Sequence, residues 1–244
     1  VSEVWLPEKR GSLTSELKAA ARARGKLVYP VDNPAALFAE LEAGRPVLVL
    51  QNLGSARWPR WHFAVATGYQ RDGEQILLHS DTRAFLPQHW NRFVRTWARA
   101  DFTGFVVLGK GQLPAVSNVE ALVTALDDLG HSSGHAPLLY WQQAAARYPQ
   151  STLVQIGLGN AFYLSGDHAA AVRSYRTAIS LQPESAAAWN NLADALNQLG
   201  CTASARKAID QALRLEPRHP TYLLTASDIA GRDGDCQLND EDLP

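Results

Sequence analysis

The sequence has few of the features that mark membrane, metal-binding or nucleic-acid-binding proteins. None of its apolar runs reaches the roughly 20 residues that a membrane-spanning helix needs. Only two cysteines, Cys201 and Cys236, occur among 244 residues, which excludes a disulfide framework and the usual zinc motifs. The net charge of -1 gives no field that favours nucleic acid or anionic lipid. We therefore expect no transmembrane segment, no nucleic-acid partner and no cofactor.

The two cysteines either form one bridge or stay as free thiols, and their spacing leaves both alternatives open. The chain begins Val-Ser-Glu, with neither a methionine nor a signal peptide at its start. This beginning predicts a processed product or a fragment, so a missing N-terminal fragment of the same protein is a candidate partner. At 244 residues the chain has room for one large or two modest domains.

The strongest pattern is a repeat with a period of 34 residues in the C-terminal half. Two full units, 152–185 and 186–219, carry matching residues at eight positions: Leu158/Leu192, Gly159/Ala193, Phe162/Leu196, Gly166/Gly200, Ala171/Ala205, Tyr175/Ile209, Ala178/Ala212 and Pro183/Pro217. Each unit is predicted to form two antiparallel helices, with small residues at the closest approach and large residues filling the gaps. The glycines and prolines are predicted to end the helices. These residues resemble the tetratricopeptide repeat family.

The flanking segments predict helices that cover the ends of this array, since two repeats alone leave their end faces exposed. Residues 118–149 carry a degenerate pair, and Pro220 to Ile229 predicts a capping helix. We expect an all-α superhelix of six or seven helices over residues 118–230. The resemblance implies a concave face that binds a protein or peptide ligand. Its candidate peptide-binding residues are Gln155, Asn160, Trp189, Asn190, Asn191 and Asp194, with a merely solvated helix face as the alternative.

Residues 1–108 predict an α+β domain in which a mostly antiparallel sheet is flanked by helices. Helices are predicted at 12–24, 33–44 and 88–98, and strands at 27–29, 46–52, 61–69, 74–80 and 102–108. Residues 109–117, with Gly109, Gly111 and Pro114, are predicted to link the two domains.

A tight hairpin is predicted at Asp72-Gly73. With these two residues as the loop, the register places His62 and Asp81 on one face as diagonal neighbours, with Cα atoms roughly 7–8 Å apart. A carboxylate there would fix the tautomer of the imidazole and stabilise its charged form, as in a nucleophile-histidine-acid triad. Spacing alone leaves a satisfied polar pair as the alternative.

The same region resembles the C39-like peptidases, which are papain-like enzymes of the bacteriocin-processing type. The resemblance covers residues 4–116, with ordered motifs at Gly11-Ser12-Leu13, at 44–54, at Trp61-His62-Phe63-Ala64-Val65 and at Gly68-Tyr69. It implies a papain-like fold with His62 as the catalytic histidine and Asp81 as its acid. A subset of this family carries C-terminal tetratricopeptide repeats. Trp58 and Trp61 would wall a substrate groove, with core or interface residues as the alternative.

The family's catalytic cysteine precedes the matched region, and this sequence begins after that point. Neither Cys201, in a repeat turn, nor Cys236, in the tail, replaces it by sequence context. We expect a peptide-binding repeat protein with a truncated or degenerate C39-like domain. The alternative is the C-terminal part of an active cysteine peptidase that cleaves a peptide presented by the repeats. The resemblance implies a bacterial origin. The sequence does not determine the compartment, for which a periplasmic or membrane-proximal setting is a hypothesis.

Residues 231–244 form an acidic tail that is predicted to be disordered. A weak calcium loop is the alternative, with ligands at Asp233, Asp235, Asn239 and Asp242. Gly231 stands where such a loop needs its first carboxylate, and Cys236 stands where it needs a turn glycine. No other metal site is expected.

Overall fold

The computed structural model describes residues 14–70, 72, 74–133, 137–232, 234 and 236. The chain divides into two compact units, Val1–Ser133 and Gly134–Pro244. No helix in these described ranges is long and apolar enough to cross a membrane.

The described part of the N-terminal unit is a six-stranded sheet with flanking helices. Its helices are α1 (Thr14–Arg22), α2 (Pro34–Glu42), α3 (Trp90–Ala98) and α4 (Val119–Ser133). Its strands are β1 (Leu27–Pro30), β2 (Val47–Asn52), β3 (Trp61–Gln70), β4 (Gln75–Ser80), β5 (Arg83–His89) and β6 (Gly104–Leu108). The strand order is β1-β6-β2-β3-β4-β5, and each neighbouring pair is antiparallel. The predicted antiparallel sheet with flanking helices is thereby confirmed.

Strand alternation builds the core between the sheet and two of its helices. Val47 and Val49 of β2 are fully buried, and α2 and α3 contact this strand. Gln51 continues the same face of β2 because side chains alternate along a strand. Its amide nitrogen donates to Thr96 Oγ1 of α3 at 2.7 Å. This buried hydrogen bond fixes the position of α3 on the sheet.

Strand β5 is absent from the sequence-based prediction, which starts a helix at residue 88. The structure instead places Arg83–His89 in β5 and begins α3 at Trp90. Pro87 lies within β5, which is an edge strand, and an edge tolerates a residue that cannot donate a backbone hydrogen bond. Because Pro87 stands next to residues that favour a helix, the sequence pattern did not indicate strand β5.

The boundary between the units also differs from the predicted linker at 109–117. The Ala115 amide donates to Glu40 Oε1 at 2.6 Å, and the Asn118 amide donates to the Tyr29 hydroxyl at 3.0 Å. The following helix, α4, contacts α1 and β1. The division therefore falls after Ser133, and residues 118–133, which were expected in the repeat domain, belong to the N-terminal unit.

The C-terminal unit is all-α in its described residues. Its helices are α5 (Leu138–Arg147), α6 (Thr152–Leu164), α7 (His168–Leu181), α8 (Ala186–Gln198), α9 (Thr202–Leu215) and α10 (Pro220–Ala230). Ser151 and Ser185 cap α6 and α8 in the same way, each accepting a hydrogen bond from the amide three residues ahead. Gly166 and Gly200 follow these helices with φ of +85° and +74°, the left-handed conformation that the repeat predicts.

Small residues allow the helices of this unit to pack closely. A Cβ on Gly157 of α6 would lie 2.2 Å from the Trp141 ring of α5, and one on Gly159 would lie 2.4 Å from the Tyr175 ring of α7. The four repeat alanines on the second helices are fully buried: Ala171, Ala178, Ala205 and Ala212. Helix α10 packs on α8 and α9 at the other end.

The two cysteines form a disulfide between Cys201 and Cys236, which resolves the two alternatives left open by their spacing. Cys201 precedes α9, and Cys236 follows α10 in the tail. The bridge therefore holds the start of the tail against the turn between α8 and α9, where a Cβ on Gly234 would lie 3.1 Å from the Gly200 carbonyl oxygen.

Candidate functional site

Strands β3 and β4 pair in two registers. Next to the hairpin loop, Gly68 pairs with Leu77, as the two-residue loop predicts. The register then shifts between Ala66 and Gly68, so Val65 pairs with His79. A shift of one residue transfers the rest of a strand to the opposite face of its partner. The bulge therefore decides which β4 residue lies beside the start of β3.

The residue beside His62 is Ser80. His62 Nε2 lies 2.7 Å from Ser80 Oγ, and both side chains are part-buried. Asp81 lies in the turn between β4 and β5 with φ of +59°, after the last residue of β4. The prediction that His62 and Asp81 are diagonal neighbours on one face does not hold in this register. The bulge shifts β4 by one residue relative to the start of β3, so Asp81 no longer lies on the face that His62 occupies.

Two exposed tryptophans precede His62 in the chain, Trp58 in the loop between β2 and β3 and Trp61 as the first residue of β3. Trp58 is 74% exposed and Trp61 is 58% exposed. Asn52 holds the base of the loop, since its Oδ1 accepts hydrogen bonds from the Gly54 amide at 3.0 Å and the Arg60 amide at 2.9 Å. Both tryptophans are thus surface residues, and the alternative of core residues does not apply to them.

A second candidate surface lies along the first helices of the C-terminal unit. Helix α6 contacts α8, and α8 contacts α10, so the first helices of successive pairs lie side by side. The surface that α6 and α8 share is named the α6–α8 face below.

Three of the predicted peptide-binding residues are less accessible than expected. Gln155 is 8% exposed, and its amide nitrogen donates to the Pro149 carbonyl at 3.1 Å. Asn190 is 7% exposed. The Trp189 indole donates to the Pro183 carbonyl at 2.8 Å, which ties the ring to the preceding turn. These contacts give Gln155 and Trp189 a structural role within the array, and burial removes Asn190 from the accessible surface.

Asn160 and Asn191 join the two helices on the α6–α8 face. Asn160 Oδ1 accepts hydrogen bonds from the Tyr175 hydroxyl at 2.8 Å and from Asn191 Nδ2 at 3.0 Å. Tyr175 is 2% exposed, and burial raises the pKa of its phenol. The buried Tyr175 hydroxyl, which stays protonated, thus orients the exposed Asn160 amide. The amide is therefore already oriented before a ligand binds to this face.

Tyr163 and Asp194 extend this polar row. Gln198 Nε2 of α8 donates to the Tyr163 hydroxyl at 3.3 Å. Burial, and next a hydrogen bond with Asp194, raise the pKa of Tyr163. Neither Tyr163 nor Gln198 was selected from the sequence. Their spacing from Asn160 and Asn191, three and seven residues along the same helices, is the signal that would have found them.

Apolar side chains border the row on α6. Leu153 is 48% exposed and Leu164 is 74% exposed. They precede and follow Asn160 by seven and four residues, so all three lie on one stripe of the helix. The sequence-based selection missed both leucines because it considered only polar and tryptophan positions.

The calcium alternative cannot be placed on this unit. Its ligands Asp233, Asp235, Asn239 and Asp242 lie outside the described residues. Within the described ranges, no group of three or more histidine, cysteine, aspartate or glutamate residues is arranged to hold a metal ion.

Two family models match the repeats. A model described as TPR repeat matches residues 159–200, and one described as tetratricopeptide repeat matches residues 186–219. A comparison with curated proteins gives no match.

Similar solved structures also cover only part of the chain. The second TPR domain of human RPAP3, solved with an HSP70 peptide, is 17% identical and covers 47% of this chain and 100% of that chain, with a TM-score of 0.42. The Yersinia enterocolitica chaperone SycD is 18% identical and covers 46% and 78%, with a TM-score of 0.41. The Sgt2 TPR domain of Aspergillus fumigatus is 14% identical and covers 51% and 91%, with a TM-score of 0.44. The two family models, which match residues 159–200 and 186–219, show that the C-terminal unit contains tetratricopeptide repeats. The papain-like fold of the N-terminal unit stays a prediction.

Proposed function

We propose that the C-terminal unit binds a peptide or an extended protein segment on the α6–α8 face. The observation that carries this proposal is the row of oriented polar groups between α6 and α8, headed by Asn160 and Asn191. Amide side chains offer both donors and acceptors, which is what a peptide backbone requires from its receptor.

The leucines on α6 supply the apolar part of the face. Leu153 and Leu164 are too exposed to contribute to the core, and exposed apolar side chains beside fixed polar groups are typical of binding surfaces. The ligand that fits is a segment whose backbone meets the Asn160–Asn191 pair and whose apolar side chains contact the leucines. Asp194 adds one carboxylate, which favours a neutral or basic segment over an acidic one.

A peptide array probed with the whole chain tests this proposal. Selected peptides are then titrated against Leu164→Ser and against the double variant Asn160→Ala/Asn191→Ala. Each is expected to weaken binding about tenfold or more, since losing one apolar anchor or one oriented polar pair costs at least about 1.4 kcal/mol.

Leu215→Ser is the matched control, because Leu215 is 41% exposed at the end of α9, away from the α6–α8 face. It should leave the affinity unchanged. No array hits, or hits whose affinity falls equally in the control, would overturn the proposal.

We further propose that the N-terminal unit descends from a C39-like peptidase domain and that the chain has no thiol-peptidase activity. Trp58 and Trp61 are exposed, and Trp61 adjoins His62 at the start of β3, which supports a former substrate groove. The two cysteines of the sequence are joined in a disulfide within the other unit, so neither supplies a thiolate nucleophile beside His62. The alternative, an active parent enzyme, needs a cysteine in residues upstream of Val1.

Intact mass measurement of the native protein shows whether such upstream residues exist. Peptide hydrolysis by the chain should be at background, and His62→Ala should not change it. Hydrolysis by the chain that His62→Ala abolishes would overturn the proposed inactivity. Upstream residues that restore His62-dependent hydrolysis would establish the alternative.

A further inference from the structure

Residues 53–61, which comprise the loop between β2 and β3 and the first residue of β3, are named the tryptophan–arginine loop. The loop is closed at its base, where the Leu53 amide donates to the Arg60 carbonyl at 2.9 Å. The Arg99 guanidinium of α3 donates to the Gly54 carbonyl, which ties the loop to this helix. Because these bonds fix the backbone, a partner that binds the loop does not have to order it first.

The tryptophan–arginine loop exposes a cluster of apolar side chains. Trp58 is 74% exposed, Trp61 is 58% exposed and Leu53 is 43% exposed. Ala56 and Pro59, which stand between them in the sequence, are exposed as well. Single exposed apolar residues are ordinary on a protein surface, but a cluster with charged neighbours is typical of an interaction site.

The charged side chains of the same loop are all positive. Arg57 and Arg60 precede the two tryptophans and are exposed, and Arg99 lies at the base of the loop. The sequence contains no acidic residue at 43–71, and Asp101 is the acidic residue that follows α3. The loop and its helical tether therefore carry a net positive charge. The net charge of the whole chain did not indicate this surface, because these arginines are concentrated in one place.

We propose that the tryptophan–arginine loop docks the N-terminal unit on the surface of an anionic phospholipid bilayer. Guanidinium groups bind phosphate in a bidentate geometry, and tryptophan rings favour the boundary between lipid headgroups and acyl chains. Together they supply the electrostatic and the apolar part of binding to a bilayer surface. The proposal depends neither on peptide binding by the other unit nor on descent from a peptidase.

The shape of the loop favours a lipid surface over two other anionic partners. Its residues from 55 to 61 are all exposed, so the loop offers a protruding surface and not a groove. An acidic peptide is usually held in a groove or along a strand edge. A single-stranded nucleic acid needs a basic groove that follows its backbone over several nucleotides. A flat bilayer requires neither of these features.

Flotation of the whole chain with lipid vesicles tests the proposal. Mixed vesicles of phosphatidylglycerol and phosphatidylcholine are expected to bind the chain at least about tenfold more strongly than vesicles of phosphatidylcholine alone. Added salt should weaken this binding. Phospholipids brominated on their acyl chains should quench part of the tryptophan emission. The variant Trp58→Phe/Trp61→Phe should lose most of this quenching, since only rings that enter the bilayer are quenched.

The role of charge is tested with two double variants at exposed positions, where the fold should be retained. Arg57→Gln/Arg60→Gln is expected to weaken vesicle binding about tenfold or more. Arg214→Gln/Arg218→Gln is the matched control, because both arginines are exposed in the other unit, and it should leave the binding unchanged.

Several results would overturn the proposal. They are equal binding to anionic and neutral vesicles, no binding to either, and an equal loss of binding in the two arginine variants. Quenching that persists in the double phenylalanine variant would also overturn it. So would tighter binding of the loop to polyglutamate or to single-stranded RNA than to anionic vesicles, since the partner would then be an acidic polypeptide or a nucleic acid.

Discussion

His62 and Ser80 face each other across β3 and β4, with Nε2 and Oγ 2.7 Å apart. Ser80 takes this place because the bulge between Ala66 and Gly68 shifts the register by one residue. The orientation of the imidazole therefore depends on a hydroxyl group, and the carboxylate of Asp81 lies beyond it in the turn.

Replacing Ser80 tests this relationship. Ser80→Ala should lower the free energy of unfolding of the N-terminal unit by about 1 kcal/mol, because a part-buried ring nitrogen loses its partner. Asp81→Asn should cost only a few tenths of a kcal/mol, since asparagine tolerates a positive φ. Urea unfolding measures both, and a larger loss for Asp81→Asn would contradict the observed register.

Glu40 is expected to hold residues 113–118 on the N-terminal unit. Its carboxylate is 2% exposed and pairs with Arg45 at 3.3 Å, besides accepting the Ala115 amide. Glu40→Ala should destabilise the unit by about 2 kcal/mol, since the Ala115 amide loses its acceptor and Arg45 loses its carboxylate while it keeps its bond to the Leu113 carbonyl. Trypsin should then cleave after Lys110 faster, and less so in Glu40→Gln. Unchanged cleavage in Glu40→Ala would mean that this segment is a free linker.

The contact between Gly157 and Trp141 predicts how the repeat array begins. Gly157→Ala should destabilise the C-terminal unit by about 2 kcal/mol, because the added Cβ would lie 2.2 Å from the indole ring. Gly231→Ala is the matched control, as a Cβ there meets nothing within 4 Å. Thermal unfolding distinguishes them, and equal melting temperatures would show that α5 does not pack on α6.

Tyr175 predicts an alkaline limit to the stability of the C-terminal unit. Burial raises the pKa of its phenol, while the unfolded chain releases this proton near pH 10. The folded state thus holds the proton to a higher pH than the unfolded state, so stability is full below about pH 10 and falls as the pH rises towards the folded pKa. Tyr175→Phe should reduce this fall, measured as the difference in urea midpoint between about pH 8 and about pH 11. An identical decrease in stability in the variant would show that groups other than Tyr175 cause it.

The disulfide predicts a redox-dependent stability. Cys201 and Cys236 close a loop with a sequence separation of 35, for which a cross-link contributes about 2–4 kcal/mol. Reduction should lower the melting temperature of the C-terminal unit and leave that of the N-terminal unit unchanged. Cys201→Ser/Cys236→Ser should reproduce the reduced protein, and a variant as stable as the oxidised chain would contradict the bridge.

The repeat half was predictable because each helix packs by local rules. Gly166, Gly200 and the buried alanines occupy positions that a period in the sequence specifies, and the family comparisons confirm the repeats there. The expected exposure of Gln155 and Asn190 did not follow, since neighbouring turns and helices cover these side chains.

The N-terminal half shows where local patterns stop being sufficient. The Asp72-Gly73 loop gave the correct pairing of Gly68 with Leu77, but no local signal marked the bulge at the next residue. Register beyond a bulge depends on packing across the sheet, so the partner of His62 could not be derived from the loop. The packing of residues 113–118 on the N-terminal unit likewise depends on Glu40, which is distant from them in sequence.

Hydrogen–deuterium exchange of the chain, with and without a peptide selected on the array, tests peptide binding most directly. Protection is predicted in α6 and α8, residues 152–164 and 186–198, with little change in α7 and α9. Protection confined to α7 and α9, or to the N-terminal unit, would contradict binding on the α6–α8 face.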